Sequence, residues 1–429
     1  MRRVLRRSAG LLTLVILAAT TPAALLAQPA ASAAAGHITL DEALAQARRA
    51  NAQLPVAQLA VQGADARVRQ ARGRLYPTLA LDGDLHGGTP QSYASSDALL
   101  QVMTQTPIYD GGELRAGLAR SHAEADAFRA GYRVAVREVD YAVRVAYAQI
   151  LRAQATVAFR RRAIERLQAY LAVVQGRQAA GQGVGADVLR TQQRLASARA
   201  DVATATRQLH EGDMTLNDLL GRVPQAPLSL APLPDPQPPA GASGEPWLAA
   251  PDIAQSEADV RASQADVTVA RAGHKPHLAL EANVGTQPVL GSDVALLNNG
   301  TGSGAEVLLT FSLPFWDKGV YAGRLAEASA ALGQAEQQKV VVQRAARLAW
   351  TQAASDLTDL YREYRGRNAA AGVARDAYLQ AESLYRGGQS TALAVLDAYD
   401  AWIQADQAQL NVAYDYRAAQ ASLDRWGAP

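Results

Sequence analysis

The chain has 429 residues, a formal net charge of +2 at pH 7 and no cysteine. The absence of cysteine excludes disulfides, thiolate metal sites, thiol nucleophiles and a lipid anchor on an N-terminal cysteine. Aromatic residues make up only 6% of the sequence, although hydrophobic residues reach 49%. This composition favours long helices that pack through small side chains over several thick globular cores.

Residues 1–35 have the features of a secretory signal peptide. Four arginines among the first seven residues precede a short apolar run at 11–19, and small residues follow. The run is too short to cross about 30 Å of hydrocarbon, which disfavours a membrane anchor. Cleavage after Ala27 or Ala35 would change the net charge from +2 to −2. The mature chain is therefore nearly neutral, and no basic surface indicates nucleic-acid binding.

One pattern of residues occurs twice, which indicates a tandem duplication. The matched residues, each pair 207 positions apart, are Pro107 and Pro314, Asp110 and Asp317, and Gly112 and Gly319. The segment 223–246 is rich in proline and predicts an extended connector. The sequence thus predicts a first repeat at 36–222 and a second at 247–429.

Each repeat begins with a helix and continues with two strands. Thr39 and Glu42 form a capping-box pattern, and the first helix is predicted to run to about Arg74; its counterpart spans about 247–273. Apolar and polar residues then alternate with period two, which predicts strands with one apolar and one polar face. The alternating segments are 79–85, 100–105, 278–284 and 307–313. Asp82, Asp84 and Glu281 fall on the polar face, where they fit a water-filled lumen.

Very long helical hairpins follow the strands. The stretch from Glu113 to about Gly176 carries an apolar stripe with a period close to 3.5, which is typical of coiled coils. A glycine-rich turn at 181–185 predicts a reversal into a shorter helix that ends near Leu220. The second repeat predicts the same arrangement, with helices at about 320–386 and 392–426.

Four strands cannot close a barrel by themselves, because natural barrels begin near eight strands. Open sheet edges are not tolerated in lipid, since their backbone groups would remain unpaired. Several copies must then share one barrel of 8, 12 or 16 strands. The sequence predicts an oligomeric outer-membrane barrel with a helical extension into the periplasm. Five aromatic residues where strands meet helices are predicted to form an interfacial girdle: Tyr76, Tyr109, Phe315, Trp316 and Tyr321.

The chain resembles the TolC-like outer membrane efflux proteins, also called outer membrane factors. The segments that carry the resemblance are Ile38–Leu44, Gly73–Pro77, Pro107–Gly112, Leu216–Gly221, Pro314–Asp317 and Tyr385–Gly388. It implies an all-α-dominated fold with a small transmembrane β-barrel part, built as a homotrimer with twelve strands above a coiled-coil α-helical barrel. It also implies a periplasmic adaptor and an inner-membrane transporter as partners, no cofactor and no catalytic activity.

The resemblance also implies roles for residues at the helical turns. Adaptor-contacting tips would include Gly181, Gln182, Gly183, Gly388, Gln389 and Ser390. The channel gate would include Asp187, Asp397 and Tyr385, although both aspartates also fit helix capping or a solvated surface. Two departures from the family pattern stand out, because Ser390 occupies the position of a linking arginine and Ala394 that of an acidic residue. Arg386 and Arg190 are the candidate replacements for that arginine.

The leading prediction is the exit duct of a tripartite efflux or export system. Type I protein secretion uses the same kind of channel, so the sequence does not identify the exported substrate. A periplasmic coiled-coil adaptor or scaffold is the alternative from another class, but it would not need four amphipathic strands. An exported enzyme is disfavoured because no nucleophile–base set is evident. His274 and His277 have ligand-like spacing, yet Pro276 separates them and no carboxylate cluster accompanies them.

Overall fold

The computed structural model describes residues 37–86, 97–239, 244–287 and 302–427. The predicted signal peptide lies outside these ranges, as does most of the loop that precedes the last strand. The helices are α1 (Leu40–Ala50), α2 (Gln53–Gly73), α3 (Glu113–Ala179), α4 (Gly185–Leu219), α5 (Pro251–Ala272), α6 (Val320–Arg386) and α7 (Ala392–Trp426). The strands are β1 (Thr78–His86), β2 (Asp97–Tyr109), β3 (His277–Gln287) and β4 (Gly302–Ser312). The predicted helix-dominated fold with four strands is confirmed.

The first helix of each repeat is shorter than the sequence predicted. Thr39 and Glu42 do form the capping box, with bonds of 2.9 and 3.3 Å. Asn51 then adopts an extended backbone and ends α1, and its Oδ1 accepts the N–H of Gln53 at the start of α2. In the second repeat a 3₁₀ turn at Pro246–Ala249 precedes α5, which starts at Pro251. Proline has no N–H to donate and is suited to the first helical position, so it sets this boundary.

The four strands form one antiparallel sheet in the order β1-β2-β3-β4. Directly opposed residues share a face, and Leu81, Val102 and Val284 stand in one row across three strands. Asp82 and Gln101 form a row on the other side. The apolar face consists of Leu79, Leu81, Leu100, Val102, Leu278, Leu280, Val284, Val307, Leu309 and Phe311. The register of the paired strands therefore gives the sheet one apolar and one polar face, as the alternation in the sequence predicted.

The two long helices, α3 and α6, have 67 residues each. At about 1.5 Å per residue each is about 100 Å long. Both begin after an aspartate that accepts backbone N–H groups of the first turn. Asp110 bonds the N–H of Gly112 at 3.0 Å, and Asp317 bonds that of Gly319 at 3.0 Å. None of the helices in the described ranges is long and apolar enough to cross a membrane.

The proline-rich connector packs along the middle of the helices. Leu230 forms a parallel bridge with Ile38. The hydroxyl of Tyr147, near the middle of α3, lies 2.9 Å from the Ile38 carbonyl oxygen and 2.7 Å from that of Ala231. The Tyr416 hydroxyl donates to the carbonyl of Gln237 at 2.7 Å. Backbone carbonyls of extended segments thus find donors on α3 and α7.

Candidate functional site at the helical tips

The two hairpin turns have the same local geometry. Gly181 and Gly388 have φ of +74° and +77°, a conformation that favours glycine. The N–H of Gln182 bonds the carbonyl of Arg177 at 2.8 Å, and the N–H of Gln389 bonds that of Leu384 at 2.9 Å. This is the bond pattern of a helix end closed by a left-handed glycine. Both glycines, Gln182 and Gln389 are exposed, whereas Gly183 and Ser390 are half-buried.

Below these turns, one hydrophobic core joins α3, α4, α6 and α7. We call it the tip core. Its buried members are Ala163, Leu167, Tyr170, Val174, Val188, Leu195, Tyr378, Tyr385, Ala392, Val395, Leu396, Tyr399 and Trp402. The ends of both hairpins are therefore packed together within a single chain.

Aromatic contacts dominate the tip core. Tyr378 stacks on Trp402 with ring centroids 5.4 Å apart, and Phe159 meets Trp402 edge-on at 5.3 Å. Burial raises the pKa of the Tyr378 phenol and raises that of Tyr399 to about 12. Both phenols therefore stay neutral at physiological pH, as their packing against apolar rings requires.

Tyr385 is enclosed by residues of its own chain and is only 4% exposed. Tyr170 contacts its ring edge-on at 5.4 Å, and the guanidinium of Arg177 lies 4.8 Å from the ring centroid. Burial raises the pKa of Tyr385; the charge of Asp187 also raises it, whereas that of Arg177 lowers it. Asp187 is thus close enough to act electrostatically, but the Tyr385 hydroxyl has no hydrogen-bond partner among the described residues.

The two predicted gate aspartates lie in different surroundings. Asp187 is in the first turn of α4 and is 19% exposed, with its carboxylate 3.8 Å from Arg190. Asp397 is exposed on α7, one turn before Asp400. Asp400 forms an ion pair with Arg194, which joins α4 to α7. Burial raises the pKa of Asp400 and Asp397 adds to that rise, while Arg194 opposes it.

Neither candidate replacement for the linking arginine joins two helices in the described chain. Arg386 pairs with Glu382 on α6, and Arg190 pairs with Asp187 on α4. At the second tip, Thr391 caps α7 by accepting the N–H of Ala394 at 3.2 Å. Besides Arg194, Arg177 also crosses between the hairpins, and its Nη1 donates to the carbonyl of Tyr385. Its partners are a carbonyl and a ring, so no charge pattern in the sequence indicates this contact.

The other sequence-predicted residues lie at the sheet end. Asp82 is exposed on the polar face, and Glu281 on the same face accepts a hydrogen bond of 3.2 Å from Gln105. Asp84 belongs to β1, but its side chain is outside the described residues. His274 stacks on Tyr321 with centroids 4.5 Å apart, and His277 lies 3.3 Å from Glu113. The structure therefore gives the two histidines separate neighbours.

Comparison with known proteins gives consistent results. Pyoverdine export outer membrane protein OpmQ of Pseudomonas aeruginosa is 28% identical over 350 residues, which are 76% of this chain and 65% of that protein. Outer membrane efflux protein BepC of Brucella suis is 23% identical over 392 residues, covering 90% of this chain and 84% of that protein. The solved structure of CusC superposes with a TM-score of 0.81 at 21% identity and covers 91% of this chain and 92% of that one.

The chain spans about two thirds of the length of OpmQ and most of the length of BepC and CusC. A family model described as outer membrane efflux protein matches residues 43–222 and 248–426, well over half of the chain. The resemblance and the outer-membrane location predicted from the sequence are confirmed. The chain belongs to the outer membrane efflux protein family.

Proposed function

We propose that this chain is the outer-membrane exit duct of a tripartite efflux system, where it forms a homotrimer that docks on a periplasmic adaptor and is supplied by an inner-membrane transporter. It acts as a passive conduit. The observation that carries the proposal is the sheet, which has one exposed apolar face and two open edges.

The apolar face supports a location in lipid. Leu79 is 78% exposed, Val307 69% and Phe311 65%. A soluble monomer rarely exposes so contiguous an apolar surface. An outward apolar face with a polar inner face is typical of a transmembrane barrel. Tyr76, Phe315 and Trp316 are also exposed where the sheet meets the helices, as an interfacial girdle requires.

The open edges support a barrel shared between chains. Among the described strands, β1 pairs only with β2 and β4 only with β3. Pairing β4 of one copy with β1 of the next would satisfy both edges, which lipid requires. Three copies give twelve strands, the number that the family resemblance implies. The two-repeat organisation, with repeats at 36–222 and 247–429 joined by the connector at 223–246, would then place two hairpins of each chain in the helical barrel.

The helical tips are the proposed periplasmic mouth. Asp187, Asp397 and Tyr385 are the proposed gate residues, and the two turns are the proposed adaptor contacts. Exposure of the turns supports the second assignment, since a contact surface must be reachable. Opening is then a shift between packings of the hairpins, biased by a partner that prefers the open packing.

The same duct serves drug efflux and type I protein secretion, because the pump selects the cargo. The name of OpmQ describes pyoverdine export and that of BepC describes efflux, which supports export in general for this chain. A periplasmic scaffold would need the coiled coils, but it would leave the apolar face of the sheet without a role.

Reconstitution of the purified protein in a planar lipid bilayer tests the proposal. A shared barrel predicts discrete conductance steps that each reflect insertion of one pore. The matched control is a preparation unfolded by heat before addition, which should give none. Protein that inserts into vesicles yet never conducts, with or without substitution of the gate residues, would contradict a duct.

A further inference from the structure

Arg177 connects the two hairpins at the mouth. It lies near the end of α3, and its Nη1 donates to the carbonyl of Tyr385, 208 positions later in the last turn of α6. The guanidinium also covers the Tyr385 ring at 4.8 Å. One side chain of the first hairpin therefore binds both the backbone and the ring of a residue in the second.

No carboxylate takes part in this contact. Among the described residues, no acidic group lies within ion-pair distance of Arg177, and its buried Nε has no hydrogen-bond partner. The carbonyl that it binds belongs to a helix C-terminus, where backbone oxygens carry partial negative charge. The face of an aromatic ring also carries partial negative charge and attracts a cation. These two weakly negative groups hold the guanidinium in place of an anion.

Contacts with other residues also hold the Tyr385 ring in place. Tyr170 contacts it edge-on, and the Tyr170 hydroxyl donates to the carbonyl of Ala392 at 3.4 Å, in the first turn of α7. Tyr170 and Arg177 are both on α3, so the end of this helix holds the end of α6 and the start of α7 together. The Tyr385 hydroxyl is not part of these contacts.

We propose that Arg177 fastens the mouth in this chain, beside the ion pair of Arg194 with Asp400, by holding the ring and carbonyl of Tyr385, and that the Tyr385 hydroxyl is dispensable. Arg177 thus takes the role of the family's linking arginine, whose position in this chain is occupied by Ser390. The proposal rests on the proposed function, since it requires a channel with a closed mouth. Opening would then require the withdrawal of Arg177 from the end of α6.

Single-channel recordings of five variants test this proposal. Arg177→Ala removes both contacts, and Arg177→Lys keeps the charge but loses the planar group. Tyr385→Leu removes the ring, whereas Tyr385→Phe removes only the hydroxyl. Arg207→Ala is the matched control, because it deletes an exposed arginine of the first hairpin that pairs with Glu211 within its own helix. The detergent-extracted mass and the melting temperature of each variant show whether it folds and assembles.

We expect Arg177→Ala and Tyr385→Leu to raise the open fraction of the wild-type pore about tenfold, equivalent to about 1.4 kcal/mol. Arg177→Lys should lie near Arg177→Ala, since an ammonium makes a poorer stack and loses the forked donor. Tyr385→Phe and Arg207→Ala should match the wild type. The double variant of Arg177→Ala with Tyr385→Leu should be no leakier than either single one.

The outcomes separate two failures. Failure of the wild type and of every variant to conduct would refute the duct itself. A conducting wild type with equal open fractions in Arg177→Ala and Arg207→Ala would overturn the role of Arg177. If Arg177→Ala does not assemble, the comparison of Tyr385→Leu with Tyr385→Phe tests the proposal instead. A leaky Tyr385→Phe would overturn it, because the hydroxyl, and not the ring, would then hold the mouth closed.

Discussion

The two ends of the molecule complete their packing in different ways. At the sheet end, Leu79 is 78% exposed and the edges of β1 and β4 lack neighbours among the described strands. At the tip end, the aromatic residues of both hairpins are enclosed in one core, and Tyr385 is only 4% exposed. Under the proposed function, the sheet depends on other copies and on lipid, whereas the tip core is assembled within one chain. This difference would let the mouth open while the barrel stays closed.

The largest effect is expected from a charge on the apolar face. Val307 and Leu308 are adjacent on β4 but point to opposite faces. Val307→Lys should strongly reduce the amount of assembled protein in the outer membrane, because a lysine facing lipid costs about 2–4 kcal/mol per copy near the bilayer midplane. Leu308→Lys, the matched control, should assemble normally, since its side chain would face the lumen. Immunoblots of separated membranes measure both, and equal losses would contradict the assignment of faces.

A smaller effect is expected midway between the two ends. Tyr147→Phe removes the hydroxyl that bridges the carbonyls of Ile38 and Ala231. The loss should lower the stability of the assembled protein by about 1–2 kcal/mol, because the single O–H that the two carbonyls share is removed. Thermal melting followed by circular dichroism should show this decrease. The assembled mass and the open fraction of the pore should not change; a leak would mean that the connector controls the mouth.

The smallest effect is expected where the helices leave the sheet. Asp317→Ala removes the carboxylate that accepts the N–H groups of Gly319 and Tyr321. Loss of such a cap costs about 1 kcal/mol. Asp110→Ala, its counterpart in the first repeat, should lower the melting temperature to a similar extent. A clearly larger effect of one of the two would show that the repeats do not share this junction.

The sequence predicts the sheet end better than the tip end. The alternation at 79–85 and 278–284 defines faces without any knowledge of the partner strands, because the side-chain period of a strand is fixed. The contact between Arg177 and Tyr385 depends on the axial offset between the two helical hairpins. A 3.5-residue period in the sequence does not determine that offset. The family resemblance offered Arg386 and Arg190 in place of the linking arginine, but both pair within their own helices. The break at Asn51 was missed because one residue with an extended backbone leaves the apolar pattern on both sides intact.

The mass of the detergent-extracted particle from separated outer membranes tests the central claim most directly. A barrel completed between copies predicts a particle of three mature chains in that fraction. A soluble monomer or dimer in the periplasm would contradict it, because the apolar face and both open edges would then lack a partner.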